Sequence, residues 1–147
     1  MTNLDARRLR ERAEWDALQD GPQPLIRVGT ATCGRSAGSL ESLEVLRCES
    51  EDRGLECNIV EVGCIGLCYA EPVVSITRPS QPAICYGEVT PRLAGQLVHG
   101  YLADGDPLAD HALGTIGPGS IEGIPDLFDT PVLRPQVRRV QIGRAHV

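Results

Sequence analysis

Branched and aliphatic residues form short runs along the chain, and breaks that contain glycine or proline separate them. These runs predict four β-strands, at residues 25–30, 57–62, 72–77 and 82–87. Leucines recur at helical spacing after the first strand, which predicts a helix over residues 39–53. A second helix is predicted over residues 90–104 because a Thr-Pro pair, a typical helix start, opens this segment.

The order of these elements is β-α-β-β-β-α, and a charged surface helix is predicted before them over residues 4–19. One crossover helix joins the first two strands, which favours parallel pairing, while the short connector RPSQ favours a hairpin of the last two. This is the element order of thioredoxin-like proteins, although spacing alone leaves other small α/β folds open. We therefore predict an α/β fold of order (α)β-α-β-β-β-α with a small mixed sheet.

Composition divides the chain into segments. The 147 residues suit one domain with extensions rather than two domains. We expect residues 1–24 to form the N-terminal helix and its lead-in, and residues 25–104 to form the folded domain. Residues 105–140 are rich in glycine, proline and aspartate and show little periodicity, which predicts an extended C-terminal linker.

Charge and aromatic content argue against some classes of function. The formal net charge is −6 and only 3% of residues are aromatic, so we expect no nucleic-acid partner. No apolar run is long enough to cross a membrane, and the N-terminus lacks the apolar centre of a secretory signal. We therefore expect a cytoplasmic protein, in which six cysteines indicate metal binding or catalysis rather than disulfides.

Three cysteines follow the two strands that are predicted to be parallel. Cys33 comes just after the first strand, and Cys64 and Cys68 follow the second. Parallel neighbouring strands end at the same edge of a sheet, so these thiols are expected to lie together. Three thiols there could bind an iron–sulfur cluster, and Gly63 and Gly66 would let backbone N–H groups approach its sulfides.

The sequence offers several candidates for the fourth ligand of such a cluster. Cys85, in the last predicted strand, is the best remaining thiol, and Cys48, Ser36 and Ser39 are further candidates. Ordinary burial as a small apolar residue is the alternative for Cys48, Cys57 and Cys85. A zinc site is disfavoured because the three histidines lie away from these loops. Thiol–disulfide exchange is disfavoured because Cys64 and Cys68 lack the two-residue spacing of a C-x-x-C motif.

Several stretches resemble a known family. The segments "IRVGTATCGRSAGSLESLEVL", "VEVGCIGLCYAEPVVSI" and "ICYGEVTP" resemble the N-terminal thioredoxin-like [2Fe–2S] ferredoxin domain of flavoprotein subunits in NAD(P)H-linked oxidoreductases. These subunits are relatives of the NADH-binding subunit of respiratory complex I, found also in bidirectional hydrogenases and NAD-dependent formate dehydrogenases. The stretch "GIPDLFDTPVLRPQVRRV" is similar to the segment that leads into their flavin-binding core.

The resemblance implies a set of ligands and partners. Cys33, Cys64 and Cys68 fall on the family's [2Fe–2S] ligand positions, but the chain reads RSAGS where the family has a second cysteine after the first. The domain would then transfer electrons to other subunits of a complex. Its cluster would be completed by a substitute ligand or would be labile. The alternative is a cluster-free module for docking and assembly. FMN, NAD(P)H and a [4Fe–4S] cluster are implied only for the core that follows the linker.

The last residues carry a separate expectation. The stretch IGRAHV can be encoded by ATC GGA AGA GCA CAC GTC, which matches the start of a widely used sequencing-library adapter. We expect residues 141–147 to be an artefact of this kind, in a reading frame that is native through about Val140 and stops before the flavin core. Re-amplification of the locus tests this, since native DNA that encodes IGRAHV would refute it.

Overall fold

A computed structural model describes residues 3–135 as a mixed five-stranded sheet with helices packed on one face. The helices are α1 (Asn3–Gln19), α2 (Thr32–Ser36), α3 (Ser39–Asp52) and α4 (Pro91–Gln96), the last continued by a π-helical segment, Leu97–Asp104. The strands are β1 (Leu25–Gly29), β2 (Asn58–Val62), β3 (Val74–Thr77), β4 (Ala83–Tyr86) and β5 (Ala112–Ile116). Short 3₁₀ turns lie at Cys68–Ala70, Ala109–His111 and Leu127–Asp129.

The strands lie in the order β2-β1-β3-β4-β5. β1 and β2 are parallel, with α3 in the crossover between them, and Gly29 lies opposite Val62 at their carboxyl ends. The remaining neighbours are antiparallel, and β3 and β4 form a hairpin. The α/β class, the parallel first pair and the hairpin are thus as the sequence predicts.

The main core lies between one face of the sheet and the helices α3 and α4. Alternate strand residues point into it, among them Ile26 and Val28 of β1 and Ile84 and Tyr86 of β4. The side chain of Thr90 caps α4 by accepting a hydrogen bond from the backbone N–H of Leu93, with proline at the first helical position. Both features confirm the Thr-Pro helix start, although the helix continues with π-type hydrogen bonds after Gln96.

The opposite face of the sheet is covered by chain that follows the predicted domain. Residues 112–116 pair with β4 as β5, where the sequence analysis predicts only an extended linker. Leu127 and Leu133 are buried in a second apolar cluster on this face, together with Cys85. The structure therefore corrects the prediction for this segment, because the free edge of β4 and the uncovered face give it a place to pack.

Other differences are local. Residues 32–36 form the one-turn helix α2 where the sequence predicts a loop. Helix α1 confirms the predicted surface helix and carries arginine–carboxylate pairs at i,i+4 spacing. Within residues 3–135, no helix is both long and apolar enough to cross a bilayer. The segment 141–147, proposed to derive from an adapter, lies outside the described residues.

Gly114 tests whether β5 is an integral part of the fold. A Cβ added at Gly114 would lie 2.5 Å from the Leu127 Cα atom, so Gly114→Ala must displace the backbone at Leu127 or at β5. We expect a loss of about 1–3 kcal/mol in the free energy of unfolding, measured by denaturant titration.

Gly95→Ala is the matched control in helix α4. A Cβ there would make only an ordinary contact of 3.8 Å with Val45, and alanine favours helix over glycine by about 1 kcal/mol. Gly95→Ala is therefore expected to stabilise the protein. Equal stability of the Gly114→Ala variant and the wild type would contradict the packing of β5 against Leu127.

Candidate metal centre

Three thiols converge where β1 and β2 end. Cys33 lies in α2, four residues beyond β1, and Cys64 and Cys68 lie in the loop that follows β2. The backbone N–H of Thr30 donates to the Val62 carbonyl at 3.0 Å, which continues the parallel ladder up to this loop. The Sγ atoms of Cys33, Cys64 and Cys68 all lie within 4.8 Å of one another. The sequence prediction that these three thiols meet is what the structure shows.

The Cys64–Cys68 pair is the most compact part of the group. Their Sγ atoms are 3.4 Å apart, and the backbone N–H of Gly66 donates to the Cys64 sulfur at 3.3 Å. Gly66 has a φ of +91°, a conformation that favours glycine, so the loop can turn back between the two cysteines. Cys68 is exposed and Cys64 half-buried, so the pair is open to solvent.

Two of the thiols, those of Cys33 and Cys64, hold their protons more firmly than a free thiol does, because the pKa of each is raised. A hydrogen bond with Cys64 raises the pKa of Cys33, and desolvation adds to this effect. Burial raises the pKa of Cys64, partly offset by the hydrogen bond from the Gly66 N–H. A metal ion would have to displace these protons, as thiolate ligands require.

A carboxylate lies beside Cys33. The Cys33 Sγ donates to Glu71 Oε1 at 3.5 Å, and Glu71 Oε2 accepts from the backbone N–H of Val73 at 2.8 Å. Gly29 and Gly34 leave room for this carboxylate, because a Cβ at either position would come within 3.2 Å of Oε2. At Gly34 the Cβ would also collide with the Gly29 carbonyl oxygen, so both α2 and the carboxylate depend on glycine here.

Cys85 does not join the three thiols. It is fully buried in β4, on the sheet face opposite the main core, within the second apolar cluster. Burial raises the pKa of Cys85 to about 12, and the charge of Glu71 adds to the shift. The two residues line one small cavity together with Arg27. The assignment of Cys85 as a metal ligand, made from the sequence, therefore remains a prediction without support from proximity.

The other candidates for a fourth ligand are placed elsewhere or are already bonded. Cys48 is exposed on α3, where it donates to Glu44 at 3.6 Å, and Cys57 precedes β2 at the strand end away from the site. The Ser36 hydroxyl donates to the Thr32 carbonyl, whereas the Ser39 hydroxyl is fully buried. Among residues 3–135, only Cys33, Cys64 and Cys68 form a metal-ligating group of this kind.

Glu71 is the site residue that the sequence analysis did not identify. It follows Cys68 by three residues, so its position in the same loop was visible in the sequence. A single loop glutamate is common at protein surfaces, however, and the sequence does not show that Val73 turns its carboxylate toward Cys33.

Comparison with known proteins supports the fold and identifies the family. The fold is similar to that of a thioredoxin-like [2Fe–2S] ferredoxin from Aquifex aeolicus, with a TM-score of 0.56 and 18% identity over 69% of this chain and 99% of that one. A second structure, of the wild-type ferredoxin, gives a TM-score of 0.53 and 20% identity over 63% and 97%. These similarities confirm the thioredoxin-like fold predicted from the sequence.

No family model matches the chain. A relative found by sequence, however, has a higher identity to this chain than the two ferredoxin structures do. Over 85 residues the chain is 34% identical to the NADP-reducing hydrogenase subunit HndB of Solidesulfovibrio fructosivorans. The alignment covers 57% of this chain and 68% of that protein. The chain belongs to the family of this hydrogenase subunit.

Proposed function

We propose that the protein is an electron-transfer domain that binds a [2Fe–2S] cluster through Cys33, Cys64 and Cys68. The observation that carries the proposal is the convergence of these three thiols within 4.8 Å at one edge of the sheet. Thiolates are the usual protein ligands of such clusters. Such a cluster supplies one-electron transfer, and the protein supplies its position and surroundings.

The residues of the chain divide this task. Cys33 approaches from α2, and Cys64 and Cys68 approach from the loop after β2, so the two loops would hold the cluster from two sides. The Gly66 N–H, which donates to the Cys64 sulfur, would stabilise the negative charge of that thiolate. Because Cys68 and the neighbouring Tyr69 are exposed, a partner protein can approach this edge of the domain directly.

The relative suggests the setting of this reaction. HndB is by name a subunit of an NADP-reducing hydrogenase, which supports a role for this chain among the subunits of a hydrogenase or NADH dehydrogenase-type complex. FMN, NAD(P)H and a [4Fe–4S] cluster would then bind to a flavin core outside residues 3–135, in the same or another chain. Six free cysteines fit a location in the cytoplasm, where thiols stay reduced.

A cluster-free docking module is the second candidate function. One observation favours it: within the described part of the chain, no fourth thiol joins the three that converge. Under this alternative, the site loops would serve only to present a surface to a neighbouring subunit, and the protein would fold without binding iron.

Cluster reconstitution separates the two functions. After anaerobic incubation of the full chain with iron and sulfide, we expect about two irons per chain, visible charge-transfer absorption and, after reduction, a rhombic EPR signal. Cys64→Ala should abolish this signal, because it removes one of three converging thiols. Cys48→Ala is the matched control and should bind the cluster like the wild type. A folded wild-type protein without iron would refute the proposal and leave the docking module.

Thiol alkylation gives a second, spectroscopically independent prediction. Because the pKa values of Cys33 and Cys64 are raised, their alkylation in the metal-free protein should accelerate about tenfold per unit between about pH 6 and pH 8. Mass spectrometry should find Cys85 unmodified in the native protein, since it is buried and its pKa is about 12.

Reconstitution should then protect Cys33, Cys64 and Cys68 from the reagent and leave the exposed Cys48 reactive. Modification of Cys64 or Cys68 at the same rate with and without bound iron would count against their role as ligands.

A further inference from the structure

We propose that the carboxylate of Glu71, and not the thiol of Cys85, is the fourth ligand of the cluster site. This inference rests on the proposed function, because it concerns how the same cluster is held. Glu71 Oε1 lies 3.5 Å from the Cys33 sulfur and accepts a hydrogen bond from the Cys33 thiol. Glu71 is thus a potential ligand in direct contact with one of the three thiols.

Two short contacts lie within the site. The Cys64 and Cys68 sulfurs are 3.4 Å apart, and the Cys33 sulfur and the Glu71 oxygen are 3.5 Å apart. The Cys33 sulfur also lies within 4.8 Å of the other two sulfurs, so Cys33 connects the carboxylate to the group of three thiols. Glu71 would thus supply the fourth protein ligand that a [2Fe–2S] cluster takes.

The carboxylate is fixed in the orientation that a ligand requires. Its Oε2 atom accepts from the Val73 N–H at 2.8 Å, which leaves Oε1 directed at the Cys33 sulfur. Gly29 and Gly34 line the space around it, and a side chain at either would crowd Oε2. A backbone hydrogen bond therefore holds one oxygen, while the other remains available to a metal ion.

The carboxylate of Glu71 also has no ion-pair partner in the part of the chain that the structure describes, although Arg27 lines the same small cavity. Glu71 is half-buried. Partly buried carboxylates are normally paired with a cation or coordinate a metal. Iron would supply the missing positive charge, and a carboxylate replaces a thiolate ligand without changing the net charge of the ligand set.

Cys85 is less suited to the same role. Its side chain lies in an apolar cluster with Leu127 and Leu133, and it shares its small cavity with Glu71 itself. The Cys85 sulfur is not among the ligand atoms that lie within 4.8 Å of one another, whereas Glu71 contacts one of those atoms, the Cys33 sulfur, directly.

Two substitutions of Glu71 test the proposal in the full reconstituted chain. Glu71→Gln should shorten the lifetime of the bound cluster in the presence of a chelator at least about tenfold, because the carboxylate ligand is lost. Glu71→Cys should keep the cluster, with visible bands and EPR g values shifted toward those of an all-thiolate site, since sulfur donates more charge to iron than oxygen. Glu122→Gln, an exposed residue in the 121–124 turn, is the matched control and should change neither property.

A measurement on the unaltered sequence does not depend on how the variants fold. With carbon-13 in the glutamate carboxyl groups, pulsed EPR of the reduced wild-type cluster should show a carbon-13 coupling, and the Glu71→Cys variant should lack it. Cys85→Ala should retain the wild-type spectrum.

The outcomes are distinguishable. A wild-type cluster without the coupling, unchanged by Glu71→Gln but lost in Cys85→Ala, would overturn the role of Glu71 and leave the proposed function intact. A wild-type protein that folds but takes up no iron would overturn the proposed function and this inference with it.

Discussion

The parallel pairing of β1 with β2 is the constraint on which the rest of the site depends. It sets Gly29 opposite Val62, so that both strands release the chain at the same edge of the sheet. Each residue of register shift would move one loop about 3.3 Å along the other, a distance similar to the 3.4 Å between the Cys64 and Cys68 sulfurs. A slip of one residue would also turn the side chains that face the main core to the opposite face of the sheet. The apolar core on Ile26 and Val28 therefore fixes the position of the thiols.

Much of this framework is readable from the sequence because it rests on local signals. Short runs of branched and aliphatic residues mark β1 to β4, leucine spacing marks α3, and the Thr90–Pro91 start marks α4. β5 lacks such a signal: ALGTI is short and contains glycine, and its pairing depends on the free edge of β4 and on Leu127, which lies eleven residues beyond it. Long-range packing of this kind leaves no period in the sequence.

The site residues, too, divide into those that the sequence predicts and those whose place depends on the folded structure. Cys33, Cys64 and Cys68 were predictable because the ends of parallel strands must meet, whatever the details of the loops. The place of Cys85 depends on strand alternation, since its neighbours Ile84 and Tyr86 point into the main core and leave Cys85 on the other face. The position of the Glu71 carboxylate depends on the hydrogen bonds that it accepts from the Val73 N–H and the Cys33 thiol, which no sequence pattern encodes.

The closeness of Cys64 and Cys68 has a further chemical consequence. Two surface thiols with sulfurs 3.4 Å apart form a vicinal dithiol, which an oxidant such as dioxygen can convert to a disulfide by removing two electrons and two protons. The oxidised pair has no thiolate left to offer a metal ion. Metal binding and the disulfide form of this loop therefore exclude each other. The protein can acquire a metal there only where its thiols are kept reduced.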